Sequence, residues 1–277
     1  MVKRREGLRY RLCLIPRRAL KRAAMILILS SFVAASPVGG GAQVLALAAL
    51  ETRAILVPTV LFGRHPGLGP PGGGAVANAL FEGVLEGVAS SGAYESLDAV
   101  ITGYFADPGQ IAAAAAAIDA IRALRPEILV VADPIMGDTG KGLYVAPAVA
   151  AAQAAILVPR ANLISPNAWE LQRLTACVIA DPASALAAAR EAGRPVLVSS
   201  VPVGRNIGVL WADGEQAWLA SHRKSREAPH GTGDLLTALF TAALLEGASG
   251  PDALETAVSD VAAQVLGAET PVMMEAL

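Results

Sequence analysis

The chain predicts an α/β fold with one mostly parallel central sheet and helices on both faces. Three observations predict it. Short apolar runs that read as buried strands alternate with Ala- and Leu-rich runs of helical length. Polar residues fall at the ends of several strand-like runs, where such folds gather their ligands. A length of 277 residues, with 54% hydrophobic and only 4% aromatic residues, suits tightly packed helices around one large core.

The elements follow in order. Residues 25–30 form an apolar strand and residues 40–50 an Ala/Leu helix. Residues 54–60 again read as a strand. Residues 63–74 hold six Gly and three Pro in twelve positions and predict a loop or flap. A helix is expected over 75–90, a strand over 99–104 and an Ala-rich helix over 109–124. Residues 128–133 are the clearest buried strand, ending at Asp133-Pro134. A short strand at 162–165 leads through Pro166-Asn167 into a helix. A strand is expected at 195–200, then a hairpin of 207–211 with 215–219. Helices over 235–246 and 251–266 close the chain. No repeat or linker divides it, so residues 25–277 are expected to form one domain.

Charge is unevenly distributed. The net charge is −2, but residues 1–22 carry nine Lys or Arg and one acid, leaving 13 basic against 23 acidic residues in the rest. Residues 1–24 read as a disordered basic extension. The acidic body is a poor general surface for nucleic acid, so no nucleic-acid partner is expected. The tail and the apolar run behind it resemble a secretory signal. The same run reads equally well as a first strand, and that reading is preferred. No stretch is long and apolar enough to span a bilayer, so no membrane partner is expected. Two cysteines, Cys13 and Cys177, support neither a disulfide framework nor a zinc site.

The chemistry concentrates in a few motifs. His230-Gly231-Thr232-Gly233-Asp234 leads directly into an apolar helix. Backbone N–H groups at a helix start have no intrahelical acceptor and, with the helix dipole, attract an anion. A carboxylate beside them can take a proton from an alcohol, although Asp also simply favours helix starts. Asp133 ends a buried strand and could equally cap a helix; Asp138 follows in the glycine-rich loop. Ser165-Pro166-Asn167 with Glu170 places a hydroxyl, an amide and an acid at another strand end, a pattern that also fits helix capping. Asp133, Asp138 and Glu170 could hold Mg²⁺ mostly through water, as Mg²⁺ does beside phosphates.

Together these segments resemble the ribokinase-like superfamily, and within it the pyridoxal kinases, over residues 25 to 267. Asp133-Pro134-Ile135-Met136-Gly137-Asp138 with Gly142-Leu143-Tyr144-Val145 is the most specific piece. Ser165-Pro166-Asn167 with Glu170 is similar to a TPNxxE motif with Ser for Thr, and Gly231-Thr232-Gly233-Asp234 matches the superfamily's anion hole and base. The resemblance implies a ribokinase-like fold and ATP-dependent phosphorylation of the 5′-hydroxymethyl group of pyridoxal, pyridoxine or pyridoxamine. Asp234 would be the base, with Gly231, Thr232 and Gly233 as the anion hole. ATP would meet Ser165, Asn167, Ser199 and Ser200; Mg²⁺ would be organised by Asp133, Asp138 and Glu170. The vitamer would meet Ser31, His65, Tyr104 and Tyr144, although Tyr104 also fits plain core packing. The nucleotide loop would fall within residues 218–230. A homodimer, a cytoplasmic location and a monovalent cation are further expectations of the resemblance.

The substrate half departs from the family. Ser30-Ser31-Phe32 stands where Gln-Ser-His is usual, Pro66 follows His65 where Thr is usual, and Leu68 occupies the place of a flap Tyr. Two other readings follow: a hydroxymethylpyrimidine kinase, or a non-catalytic vitamin B6-binding protein on the same scaffold. Asp234 between its glycine-rich loop and the helix argues against the carrier, which needs neither a base nor an anion hole.

Overall fold

A computed structural model describes residues 22–225, 229–266 and 270–277. In chain order the elements are β1 (Met25–Val33), α1 (Gly39–Ala49), β2 (Arg53–Phe62), β3 (Gly73–Ala75), α2 (Asn78–Ser90), β4 (Ala99–Thr102) and α3 (Pro108–Leu124). There follow β5 (Leu129–Ala132), β6 (Gly137–Asp138), β7 (Gly142–Leu143), α4 (Pro147–Ala152), β8 (Leu163–Ile164), α5 (Ala168–Thr175) and α6 (Pro182–Glu191). The chain closes with β9 (Val196–Val203), β10 (Asn206–Asp213), β11 (Gln216–Arg223), α7 (Thr232–Glu246), α8 (Gly250–Leu266) and β12 (Met273–Ala276).

Among the described residues ten strands form one sheet in the order β12-β11-β10-β9-β8-β5-β4-β1-β2-β3, and β6 pairs with β7 in a separate hairpin. The six central strands from β9 to β2 run parallel; β10, β11, β12 and β3 are antiparallel additions at the two sides. A parallel sheet is covered on both faces, so its strands read as continuous apolar runs rather than alternating ones. β1 obeys this: eight of its nine residues are buried. It lies between β4 and β2, so the apolar run after the basic tail is an interior strand. The tail itself, up to residue 21, lies outside the described residues, while Arg22 already pairs with Asp98 Oδ1 at 2.6 Å.

Register aligns the strand ends. Leu29, Thr102, Ala132 and Ile164 are partners in one row across β1, β4, β5 and β8. The next residues, Ser30, Gly103, Asp133 and Ser165, therefore reach one edge of the sheet together. Two apolar clusters cover its faces, one centred on Phe81, Phe105 and Ile118 of α2, α3 and their connection, the other on Leu47, Phe240 and Leu254 of α1, α7 and α8. A third lies beneath α5 and α6. No helix among the described residues is long and apolar enough to cross a membrane.

Several expectations are corrected. Ala75 is in β3, not in a helix, and α2 starts only at Asn78. The exposed Gly73-Gly74-Ala75 segment pairs with β2, where glycine content masks a strand. Residues 218–223, expected within the nucleotide loop, belong to β11; the loop begins after Arg223, and residues 226–228 lie outside the described ones. Helices α4 and α6 and strand β12 had no clear apolar signal: α6 is mostly Ala, capped by Asp181 and opened by Pro182.

Candidate active site

All fifteen site residues expected from the sequence line one groove of about 680 Å³ above the carboxyl edge of the sheet. Asp234 sits on the first turn of α7, whose N-cap is Gly231 in the left-handed conformation (φ 90°). A side chain there would place its Cβ 2.5 Å from the Pro37 carbonyl oxygen, so glycine is required twice over. The N–H groups of Thr232, Gly233 and Asp234 open the helix and have no acceptor one turn earlier.

Asp234 is held from across the groove. Gly39 N–H, at the start of α1, donates to Asp234 Oδ2 at 2.8 Å, and Gln43 Nε2 donates to the Asp234 carbonyl at 3.2 Å. The other carboxylate oxygen, Oδ1, is buried and has no protein partner. Burial pushes the Asp234 pKa up to about 6, with the Gly39 N–H pulling it back. The result is a carboxyl group with one oxygen fixed and the other open to a proton.

A second acidic group lies at the ends of β5 and β8. Asp133 is 5% exposed, and Thr237 Oγ1 donates to its Oδ2 at 3.0 Å. Ser165 Oγ lies 2.8 Å from Thr237 Oγ1, so the two hydroxyls relay a chain from β8 to β5. Burial, then the charges of Glu170 and Asp234, push the Asp133 carboxyl well above the usual carboxylate range. Glu170 accepts from Met136 N–H at 2.8 Å, Gly137 N–H at 3.2 Å and Asn167 N–H at 2.9 Å, yet burial still raises it to about 7. Asn167 returns the bond to Glu170 N–H at 2.9 Å, a complete capping box on α5, and its Nδ2 donates to the Gly137 carbonyl at 2.8 Å. The capping reading of this motif is thus realised, and it also fixes the loop that carries Asp138.

Among the described residues no group of three or more His, Cys, Asp or Glu is arranged to grip a metal directly. Asp133, Asp138 and Glu170 nonetheless line one groove, and most of the hydrogen-bonding capacity of Glu170, with one oxygen each of Asp133 and Asp138, is engaged by protein donors. That donor chemistry fits a hydrated Mg²⁺ escorting phosphates and not a caged ion.

The expected substrate residues Ser31, Tyr104, Tyr144 and His65 line the same groove. Ser31 is buried beside α1, with its Oγ where a Cβ on Gly39 would fall. Tyr104 N–H bonds Ser30 Oγ at 3.3 Å, and burial raises its phenol pKa. Tyr144 is 48% exposed as a residue, yet desolvation on the groove side, and then the carboxylates led by Glu170, push its phenol up. His65, at the base of the flap, stacks on His230. Ser199 and Ser200 lie at a bulge of β9, where Ser200 has φ 61° and the β10 register shifts between Gly208 and Leu210. An unusual backbone angle of this kind is found where a side chain must be re-aimed.

Other lining residues escaped sequence reading. Ile207, Val209, Val258, Val261 and Val265 give the Ser199 end an apolar wall, Lys141 and Lys224 add positive charge, and His222 also lines it. Gly39 and Gln43 were also missed, although three glycines at the start of α1 carry the same signal as those before α7.

Known proteins resemble this chain in sequence and in fold. Residues 82–272 match the family described as phosphomethylpyrimidine kinase. A pyridoxine/pyridoxal/pyridoxamine kinase of Bordetella avium is 38% identical over 227 residues, covering 79% of this chain and 76% of that protein. A pyridoxal kinase of Deinococcus radiodurans is 33% identical, covering 84% of this chain and 83% of its own. Among solved structures, the pyridoxal kinase of Entamoeba histolytica superposes with a TM-score of 0.84 at 21% identity, over 92% of this chain and 100% of that one. That of Leishmania donovani, bound to ADP and pyridoxamine, gives 0.83 at 20% identity over 91% and 99%. With the ribokinase-like sheet, the glycine-opened helix and these matches together, the chain belongs to the phosphomethylpyrimidine and pyridoxal kinase family.

Proposed function

We propose that this protein transfers the γ-phosphoryl group of ATP to the 5′-hydroxymethyl group of pyridoxal, pyridoxine or pyridoxamine. The observation that carries the reading is Asp234: one oxygen fixed by Gly39, the other buried and unpartnered, at the first turn of a helix whose free N–H groups form an anion site. The named activities of its relatives support the choice of substrate.

The hydroxymethyl O–H gives its proton to Asp234 Oδ1 as the oxygen forms its bond to the γ-phosphorus. The bond from that phosphorus to the β,γ-bridging oxygen breaks, and ADP leaves with the electron pair. The N–H groups from Gly231 to Asp234 hold the charge on the transferred phosphoryl group, where one well-placed donor is worth on the order of 3 kcal/mol. Such transfer needs alignment and charge neutralisation more than covalent chemistry. Mg²⁺, held mostly through water by Asp133, Asp138 and Glu170, would supply charge neutralisation on the phosphates. The apolar wall of Val209, Val258 and Val261 suits the base of ATP, with Ser199 and Ser200 toward its phosphates. Ser165 and Asn167, whose polar groups are already engaged, shape that end and present at most their remaining donors.

The test is turnover of Mg·ATP with pyridoxal, pyridoxine and hydroxymethylpyrimidine offered separately, with Asp234→Asn as control. Pyridoxal 5′-phosphate formation that collapses in the variant is the expected result. Preference for hydroxymethylpyrimidine would assign the pyrimidine activity instead, and no turnover by a folded, ATP-binding protein would overturn the kinase reading.

A further inference from the structure

The flap, residues 63–72, joins β2 to β3 over the substrate end of the groove. It closes on itself at its base: Gly63 N–H donates to the Pro71 carbonyl at 3.0 Å, and Arg64 Nε to the Pro70 carbonyl at 2.8 Å. Its reach toward the opposite wall runs through His65. The His65 backbone N–H donates to Ser36 Oγ at 3.2 Å, and its ring lies on His230, with centroids 4.1 Å apart and planes at 16°. Gly67 N–H donates to His65 Nδ1 at 3.0 Å, which fixes the ring's rotation and makes Nδ1 the unprotonated nitrogen in this arrangement. His230 precedes Gly231, which is itself packed on Pro37. The flap and the loop that shapes the anion site therefore meet in one ring pair, and the transfer chemistry leaves His230 without a task.

We propose that His230 is a positioning residue, the aromatic anchor on which the flap docks through His65 and is held down over the groove. The assignment rests on the proposed kinase function for its substrate, and on the stack alone for the docking. An offset or parallel ring pair shifts a docking equilibrium by roughly 2- to 10-fold. A flap held down over the ring end stabilises bound vitamer and does nothing for ATP at the Ser199 end.

Two measurements test it. In hydrogen–deuterium exchange on the substrate-free full chain, His230→Ala should speed exchange across residues 63–72, while His230→Phe, which keeps an aromatic face, should restore protection. In turnover, His230→Ala should raise the pyridoxal KM about 2- to 10-fold without the same rise in the ATP KM, and His230→Phe should bring it back. Unchanged flap exchange in His230→Ala, or equal rises in both KM values, would overturn the anchor. The exchange arm needs no activity, so it decides the docking even if turnover fails and the kinase reading falls.

Discussion

Gly39 N–H donates to Asp234 Oδ2 at 2.8 Å, a bond between residues 195 positions apart. It joins the starts of α1 and α7, so two helix N-termini meet over one carboxylate. Gly39 can do this only with φ 62°, and a Cβ there would lie 2.0 Å from Ser31 Oγ. Gly39→Ala should therefore destabilise the protein by more than about 1 kcal/mol and lower kcat by releasing Asp234. Thermal melting and turnover on the same preparation check both, and an unchanged melting temperature would refute the strain argument.

Asp234→Asn removes the proton acceptor while keeping the side chain's shape. Loss of a well-placed base costs about 10² to 10⁴ in rate. The expected result is a kcat reduced by that factor with the fold intact by circular dichroism. A reduction below tenfold would mean that the hydroxyl loses its proton elsewhere.

The same residue sets an acid limit. Burial raises the Asp234 pKa to about 6, and only the ionised form accepts a proton. Activity should thus fall as pH drops through about 6, one proton being taken up in the step. A rate profile flat from pH 7 to 5 would contradict this role.

What the sequence made legible was local. The glycines before α7, the apolar runs of β1 and β5, and the Asn167–Glu170 pattern each signal their structure within a few residues. The strand ends could be placed together because parallel strands share one ligand edge. What stayed hidden was long-range or weakly patterned. Gln43 touches Asp234 only because α1 and α7 pack side by side, and no local pattern announces that. β3 is glycine-rich, and α6 is too uniformly Ala to show a face. His230 was visible as part of a motif, but its partner His65 lies 165 positions earlier and meets it only through the flap.

Thr237 links Ser165 and Asp133 in a buried chain of hydroxyls. Thr237→Val keeps the volume but leaves the Asp133 carboxyl without its donor. An unsatisfied buried acceptor costs about 1–3 kcal/mol, more when it is charged. The loss should appear in the denaturation midpoint, and since the Thr237 bond holds the Asp133 pKa down, it should grow as pH rises. A variant as stable as the parent at pH 8 would show that the hydroxyl chain contributes nothing.

Glu170 gives the last test, through the pH dependence of stability. Its pKa rises from the ordinary 4.5 to about 7 in the folded protein because burial outweighs three backbone donors. Between those values the folded state holds more proton than the unfolded one, so stability falls as pH rises. The contribution is complete below about 4.5 and gone above about 7, and at 1.36 kcal/mol per pH unit it amounts to about 3 kcal/mol. Asp133 and Asp234, also raised, act with the same sign. Glu170→Gln removes one titrating group, so its melting temperature should change less between pH 5 and 7 than that of the parent, whatever its absolute stability. Parallel curves for the two proteins would mean that Glu170 is ionised throughout, with the three N–H donors outweighing its burial.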